Sequence, residues 1–292
     1  MGLVLAGCGG AAEPPPSPAT STIDVTTGDF QAPPGDSLTC VYTNVVTDHE
    51  IYVGNATGKQ APGGHHIIVY YTDTMHPTGH HPCVDAEMLA WHQIAGADQN
   101  KEPVLVLPEG AAIKVPAGKQ LVIQSHYINT TGATQTYNDS ASIQLVDGKD
   151  VKQFLNFLAF VDTQFAIPPQ ATYKSVTTCT IKDDINAVLL LGHMHELGKH
   201  YSLERIDDKG ASLEMVYDHD WKPSYLSHPP IVTASLDAPI VIKSGTRLRQ
   251  TCEWNNSTPK LVSFPTEMCV SFMFYFPDNG FVECNGAPEP KP

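Results

Sequence analysis

The sequence predicts an all-β protein, probed by three observations. Apolar runs rich in Val, Ile, Tyr and Phe recur along it, 24 Pro and 22 Gly punctuate them, and hardly a stretch keeps a 3.6-residue period. In chain order the strand-like runs are His66 to Tyr71 (HIIVYY), Gln120 to Tyr127 (QLVIQSHY), Phe154 to Val161, Ala187 to Leu191 (AVLLL), Pro239 to Lys243 (PIVIK) and Val270 to Phe276 (VSFMFYF). The stretch Pro82 to Ala97 is the best helix candidate, and a poor one. Short strands between turn residues point to antiparallel β-sandwiches.

A chain of 292 residues has room for two domains of roughly 130 to 150 residues, each with its own core. The polar stretch 148–153 (GKDVKQ) separates them. The expected division is 1–23 a leader remnant and disordered tether, 24–150 a first domain, 151–285 a second, and 286–292 a disordered tail. No apolar run reaches about 18 residues, so no membrane-spanning helix is expected. Acidic residues outnumber basic ones, 31 to 17. Nucleic acid and anionic membrane surfaces need clustered Lys and Arg and are not expected as partners.

Seven cysteines are present. Leu5-Ala6-Gly7-Cys8 resembles a bacterial lipobox, in which Cys8 is the lipidated residue; the segment before it reads as clipped. The Pro/Ser/Ala-rich stretch Ala11 to Thr22 suits the tether that follows such a site. Export follows, to the periplasm or cell surface, with a lipid anchor in the outer membrane permitted by Gly9. The remaining cysteines are Cys40, Cys83, Cys179, Cys252, Cys269 and Cys284. They fall two and four on either side of the boundary, an even count in each half that suits disulfides and an oxidising compartment.

Thirteen histidines are many, and three groups sit on strand-like segments. Gly63-Gly64-His65-His66 opens one strand, Gln124-Ser125-His126-Tyr127 ends another, and Gly192-His193-Met194-His195 follows a third. Residues two apart on a strand share a face, so His193 and His195 can grip one metal. Adjacent His65 and His66 need a local irregularity to do so, which Gly63 and Gly64 permit. A lone histidine is usually an ordinary core or surface residue; this set favours metal. Imidazoles without thiolates suit Cu, Zn, Fe or Ni, so a zinc hydrolase stays open on the residues alone.

The four segments Gly63 to His66, Gln124 to Tyr127, His193 to Lys199 (HMHELGK) and Glu267-Met268-Cys269, with Ala90-Trp91, Ile167-Pro168-Pro169 and the six cysteines, are similar in order and spacing to the ascorbate-dependent type II copper monooxygenases. That family includes peptidylglycine α-hydroxylating monooxygenase and dopamine β-monooxygenase. The resemblance runs from about Leu38 to Cys284. It implies two jelly-roll-like sandwich domains facing each other across a solvent-filled cleft. His65, His66 and His126 would hold an electron-transfer copper in the first. His193, His195 and Met268 would hold the catalytic copper in the second. Gln124 and Tyr127 would help orient His126 or serve its electron path. The implied disulfides are Cys40–Cys83, Cys179–Cys284 and Cys252–Cys269, one of 15 pairings open to six cysteines. The implied reaction is hydroxylation of a substrate C–H bond with O2 and a one-electron donor such as ascorbate, two coppers per chain supplying the electrons. A thioether ligand such as Met268 favours Cu(I) and is rare at zinc.

The chain departs from the peptide-hydroxylating branch where that branch holds a substrate carboxylate. An Arg, an Asn and a Tyr there are here Leu191, Val270 and Phe272. An unpaired carboxylate buried among them would be costly, so the expected substrate is a small organic molecule other than a glycine-extended peptide. His76, His80 and His81 form a further cluster, read as a loop pinned by the Cys40–Cys83 bridge or as an extra copper site. His92, His200, His219 and His228 read as structural. The expected protein is a monomer that meets membrane only through Cys8. The alternative function is a copper-binding or electron-transfer lipoprotein on the same fold.

Overall fold

The strand-like runs of the sequence lie in strands, Pro239 to Lys243 only through its centre, Ile240–Ile242. The computed structural model describes residues 19–98, 106–226, 229–264 and 266–288. Cys8, His228, and most of the expected tether and tail lie outside them.

The first half contains β1 (Ser21–Ala32), β2 (Gly35–Val46), β3 (Ile51–Lys59), β4 (Gly64–Thr72), β5 (Gly79–Pro82), helix α1 (Asp85–Ala90), β6 (His92–Asp98), β7 (Ala111–Val115), β8 (Gln120–Asn129) and β9 (Gln135–Leu145). The second contains β10 (Gln153–Val161), β11 (Ala166–Ile167), β12 (Ala171–Thr180), β13 (Ile185–His193), β14 (Gly198–Ile206), β15 (Ser212–Asp220), β16 (Val232–Thr233), β17 (Ile240–Ile242), β18 (Arg247–Asn256), β19 (Val262–Ser263), β20 (Val270–Phe276), β21 (Val282–Asn285) and β22 (Ala287–Pro288). β1 thus starts inside the stretch read as tether. β22 pairs with Thr177 and Thr178, inside the stretch read as tail.

Of Pro82 to Ala97, only Asp85–Ala90 is helical, and its N-cap Val84 supplies no side-chain hydrogen bond. So short and uncapped a helix cannot propagate. The residues after it pair with β4 instead, from His92 opposite Tyr71 to Asp98 opposite His66.

In the first half a sheet ordered β5-β2-β8-β4-β6 packs over β1-β9-β3-β7. In the second, β10-β20-β13 packs over a sheet ordered β15-β14-β18-β12-β22. A 3-10 turn at Gly148–Asp150 lies in the expected boundary stretch. Beyond it β10 runs parallel to β7, Gln153 opposite Ala111 and Leu155 opposite Ile113, so one ten-stranded sheet passes through both halves.

Strand β20 shows why its run is apolar throughout. Met273 and Tyr275 point into the core of the second half, among Tyr201, Leu203, Leu248 and Trp254. Phe274 and Phe276, one residue out of phase, join Leu189 and Leu191 of β13 against Val53, Ile67 and Val69 of the first half. A strand buried on both faces has no polar side to show. Burial of each such side chain stabilises the fold by about 1.5–3 kcal/mol, so at this junction the halves share a core where the resemblance implies a cleft.

Disulfides join Cys40 to Cys83, Cys179 to Cys284 and Cys252 to Cys269. These are the pairs the resemblance implies, and they indicate an oxidising compartment. No helix among the described residues is long and apolar enough to cross a membrane.

Candidate metal centres

The first histidine group is assembled by a break in strand register. In the β4–β8 ladder Gly64 pairs with Tyr127 and His66 with His126, leaving His65 as an extra residue between them. Such a bulge turns two adjacent side chains toward the same side. Gly63 enters it at a φ of +93°, a conformation that costs glycine little. The outcome is three imidazoles converging: the His65 and His66 Nδ1 atoms are 3.1 Å apart, and one ring nitrogen from each of His65, His66 and His126 lies within 4.8 Å of the others.

The hydrogen bonds around the cluster select its lone pairs. His126 is 8% exposed. Its Nε2–H donates to Asp36 Oδ1 at 2.6 Å, while its Nδ1 is buried with no hydrogen-bond partner. An orphaned buried imidazole nitrogen in a ring beside two others is what a metal ion would satisfy. Burial, then the neighbouring His126, His65 and His193, lowers the His66 pKa well below that of an ordinary histidine, so its ring stays neutral and able to ligate. The donor set fits copper.

Gln124 and Tyr127 act from behind the strand. Gln124 hydrogen-bonds the His66 ring and its Nε2 contacts Met88 Sδ at 2.6 Å. Tyr127 accepts the Ala61 N–H at 3.0 Å and donates to Asp139 Oδ1 at 2.5 Å. Asp139 is fully buried and also accepts from Ser125 Oγ and from Gln60 Nε2. Gln60 Nε2 contacts the carbonyls of His66 and His126 as well. A carboxylate hidden behind the strand thereby braces the backbone on both sides of the cluster. Sequence reasoning missed Asp36, Gln60 and Asp139, since single polar residues far from a motif carry no local signal.

The second group closes β13. His193 pairs with Val270 at the end of the β13–β20 ladder, and His195 lies in the turn beyond. Gly192 passes so close to the Tyr201 ring that a Cβ there would collide with it. The His193 and His195 rings are 5.1 Å apart between centroids. His195 Nδ1–H donates to the Thr266 carbonyl at 2.9 Å, leaving its other nitrogen for a ligand role. Burial and then the His195 charge hold His193 well below the usual histidine pKa.

Met268 lies half-buried in an apolar cluster with Phe157, Phe264, Val270, Phe272 and Phe281. Phe272 stands 6.1 Å from the His193 ring, so it borders both the methionine cluster and the histidine pair. Two imidazoles joined by a thioether would suit copper better than zinc. Of the three pocket residues expected from sequence, Leu191 is 6% and Val270 3% exposed. Only Phe272 keeps a partly exposed face.

The two groups lie near enough for their charges to act on one another. His193 contributes to the lowered pKa of His66, and His65 and His126 to that of His193.

The remaining histidines separate from these centres. The rings of His76 and His81 stack on Tyr42, with centroids 4.1 and 4.8 Å away, and His80 Nε2–H donates to the Thr27 carbonyl. His92 meets Asp73 and stacks on Tyr71, His200 bridges Asp218 and Asp220, and His219 packs on Tyr217. Among the described residues, His65, His66 and His126 form the one group of three or more His, Cys, Asp or Glu placed to hold a metal.

Residues 154–291 match the C-terminal domain of the copper type II ascorbate-dependent monooxygenases. The provisionally named human DBH-like monooxygenase protein 2 is 24% identical over 253 residues, covering 77% of this chain. The chain spans about half the length of that curated relative, 49%. Among solved structures, PNGase F, a glycosylasparaginase from Flavobacterium meningosepticum, covers 92% of this chain and 99% of its own at 9% identity and a TM-score of 0.39. A triple jelly-roll turret protein of an archaeal virus covers 88% and 55% at 8% identity and a TM-score of 0.23. Likenesses this distant carry no argument about the present chain.

Proposed function

We propose, on the premise that the match of residues 154–291 to the C-terminal domain of the copper type II ascorbate-dependent monooxygenases reflects shared chemistry, that the chain hydroxylates a C–H bond of a small organic substrate. O2 is the oxidant, and ascorbate or a similar one-electron donor is the reductant. The observation that carries this reading is the pairing of two unlike donor sets, three imidazoles on one half and His-x-His beside a methionine-bearing apolar cluster on the other. A storage or carrier protein has little need of two different centres.

His65, His66 and His126 hold one copper, and His193, His195 and Met268 hold the second. Bound copper supplies one-electron transfer at the first site and O2 reduction at the second. The protein's own contribution is orientation and a dry setting. Asp36 fixes the proton of His126 on Nε2, the Thr266 carbonyl fixes that of His195 on Nδ1, and burial keeps His66 and His193 neutral.

Phe272 presents an aromatic edge to substrate next to His193 and stacks on Phe157 at 5.3 Å. Leu191, Val270 and Phe272 offer no cation to a carboxylate, so glycine-extended peptides are not substrates. The chain works as an exported monomer, anchored to the outer membrane through Cys8 and meeting no nucleic acid.

The test is oxygen uptake with ascorbate and a panel of apolar, amine and carboxylate substrates. Uptake matched one for one by hydroxylated product supports the enzyme. Copper loading without coupled product formation on any of them would favour the electron-transfer or copper-binding lipoprotein instead. Turnover of a glycine-extended peptide would overturn the substrate assignment. Labelling with radioactive palmitate, lost in Cys8→Ala, checks the anchor.

A further inference from the structure

Glu267 has no role in the reading above, yet it is 1% exposed and uses both of its carboxylate oxygens. Oε1 accepts the Leu197 N–H at 2.7 Å; Oε2 accepts the His195 N–H at 3.1 Å and the Trp254 Nε1–H at 3.0 Å. The contacts run both ways across this junction. The carbonyl of Thr266, the preceding residue, accepts the His195 ring N–H at 2.9 Å, and the Trp221 Nε1–H holds the His195 carbonyl at 3.1 Å. Residues 266 and 267 therefore grip His195 by its ring and by its backbone.

Met268 comes next in the chain, and Cys269 after it is tied by its disulfide to Cys252 of β18. The methionine thus sits between two anchors, one a disulfide and the other a carboxylate wired to the His-x-His turn. A carboxylate this enclosed is costly unless several donors satisfy it, and a leucine would fill the same space with no such demand. Three N–H donors are what make it tolerable, and two of them belong to the turn that carries His195.

Resting on the proposed role of His193, His195 and Met268, we infer that Glu267 is a positioning residue that sets His195 against Met268, so that an imidazole and a thioether reach the same ion. Glu267 is not itself a ligand, because its oxygens are committed to N–H donors. Cys269 alone leaves the peptide before it free to rotate; the Glu267 bonds remove that freedom. Partners that orient metal ligands in this way typically contribute 10–100-fold in metal affinity.

The experiment uses the full chain with Glu267→Gln and Glu267→Asp. Copper per chain is measured by mass spectrometry, Cu(I) affinity by competition with a chromophoric chelator, and copper–sulfur scattering by X-ray absorption. Glu267→Gln turns one acceptor oxygen into an NH2 facing N–H groups. It is expected to weaken the second ion about 10–100-fold and to diminish the sulfur scattering, with the His65, His66 and His126 ion unchanged. Glu267→Asp keeps the charge but shortens its reach, and is expected to lose less. A folded Glu267→Gln that binds both ions with wild-type affinity and sulfur scattering overturns the inference. Should Glu267→Gln not fold, wild-type affinity in Glu267→Asp overturns it equally. A wild-type chain with no copper–sulfur scattering refutes the assignment of the second centre, and this inference with it.

Discussion

Asp36 and His126, 90 residues apart in sequence, meet with Oδ1 2.6 Å from Nε2. The bond holds the Asp36 carboxyl below the usual carboxylate range and leaves His126 Nδ1, buried and without a partner, as its free lone pair. Replacing Asp36 with Ala is expected to lower first-site copper affinity about 10–100-fold and leave the second site unchanged. Chelator competition on each site checks this; equal loss at both sites would point to unfolding instead.

The lowered pKa values of His66 and His193 make metal-free stability depend on pH. Both return to about 6.5 on unfolding, so below that pH the unfolded chain binds more protons than the native one. Stability is then full above about pH 6.5 and falls as the pH drops from there toward the native values. Urea midpoints of the metal-free protein between about pH 7.5 and 5.5 should decline, and His66→Ala should flatten the decline. A constant or rising midpoint contradicts the neutral, buried state of these rings.

Tyr127→Phe removes a donor to buried Asp139 and the acceptor of the Ala61 N–H. The unfolding free energy should fall by about 1–3 kcal/mol in urea titrations, because two enclosed groups are left short of partners. Copper affinity at the first site should fall with it, since Gln60 and Asp139 brace the strands that carry the cluster.

His76 and His81 flank the Tyr42 ring. Alanine at either should leave copper content unchanged and cost about 0.5–1.5 kcal/mol of stability for the lost stack, read by thermal unfolding. Loss of an ion in either variant would revive the extra-site reading of this loop.

The strands and the ligand groups were legible because their signals are local. Gly63 and Gly64 announced the irregularity that lets His65 and His66 share a face, and the bulge is there. Pro82 to Ala97 was misread because pairing with β4 is decided by a strand that precedes it, not by its own propensity. Asp36 and Asp139 escaped, and Glu267 stood in a motif without a role of its own, because a buried carboxylate and an exposed one look alike until the fold supplies their donors. The junction of β7 with β10 was invisible for a related reason. Parallel pairing of Gln153 with Ala111 leaves no turn signal between the partners.

The most direct test of the central claim is copper content after reconstitution, compared among wild type, His126→Ala and Met268→Ile. About two coppers in wild type are expected, falling by one in His126→Ala, with Met268→Ile losing copper–sulfur scattering while the first site stays loaded. Zinc bound in preference to copper, or a single ion insensitive to both substitutions, would contradict the account.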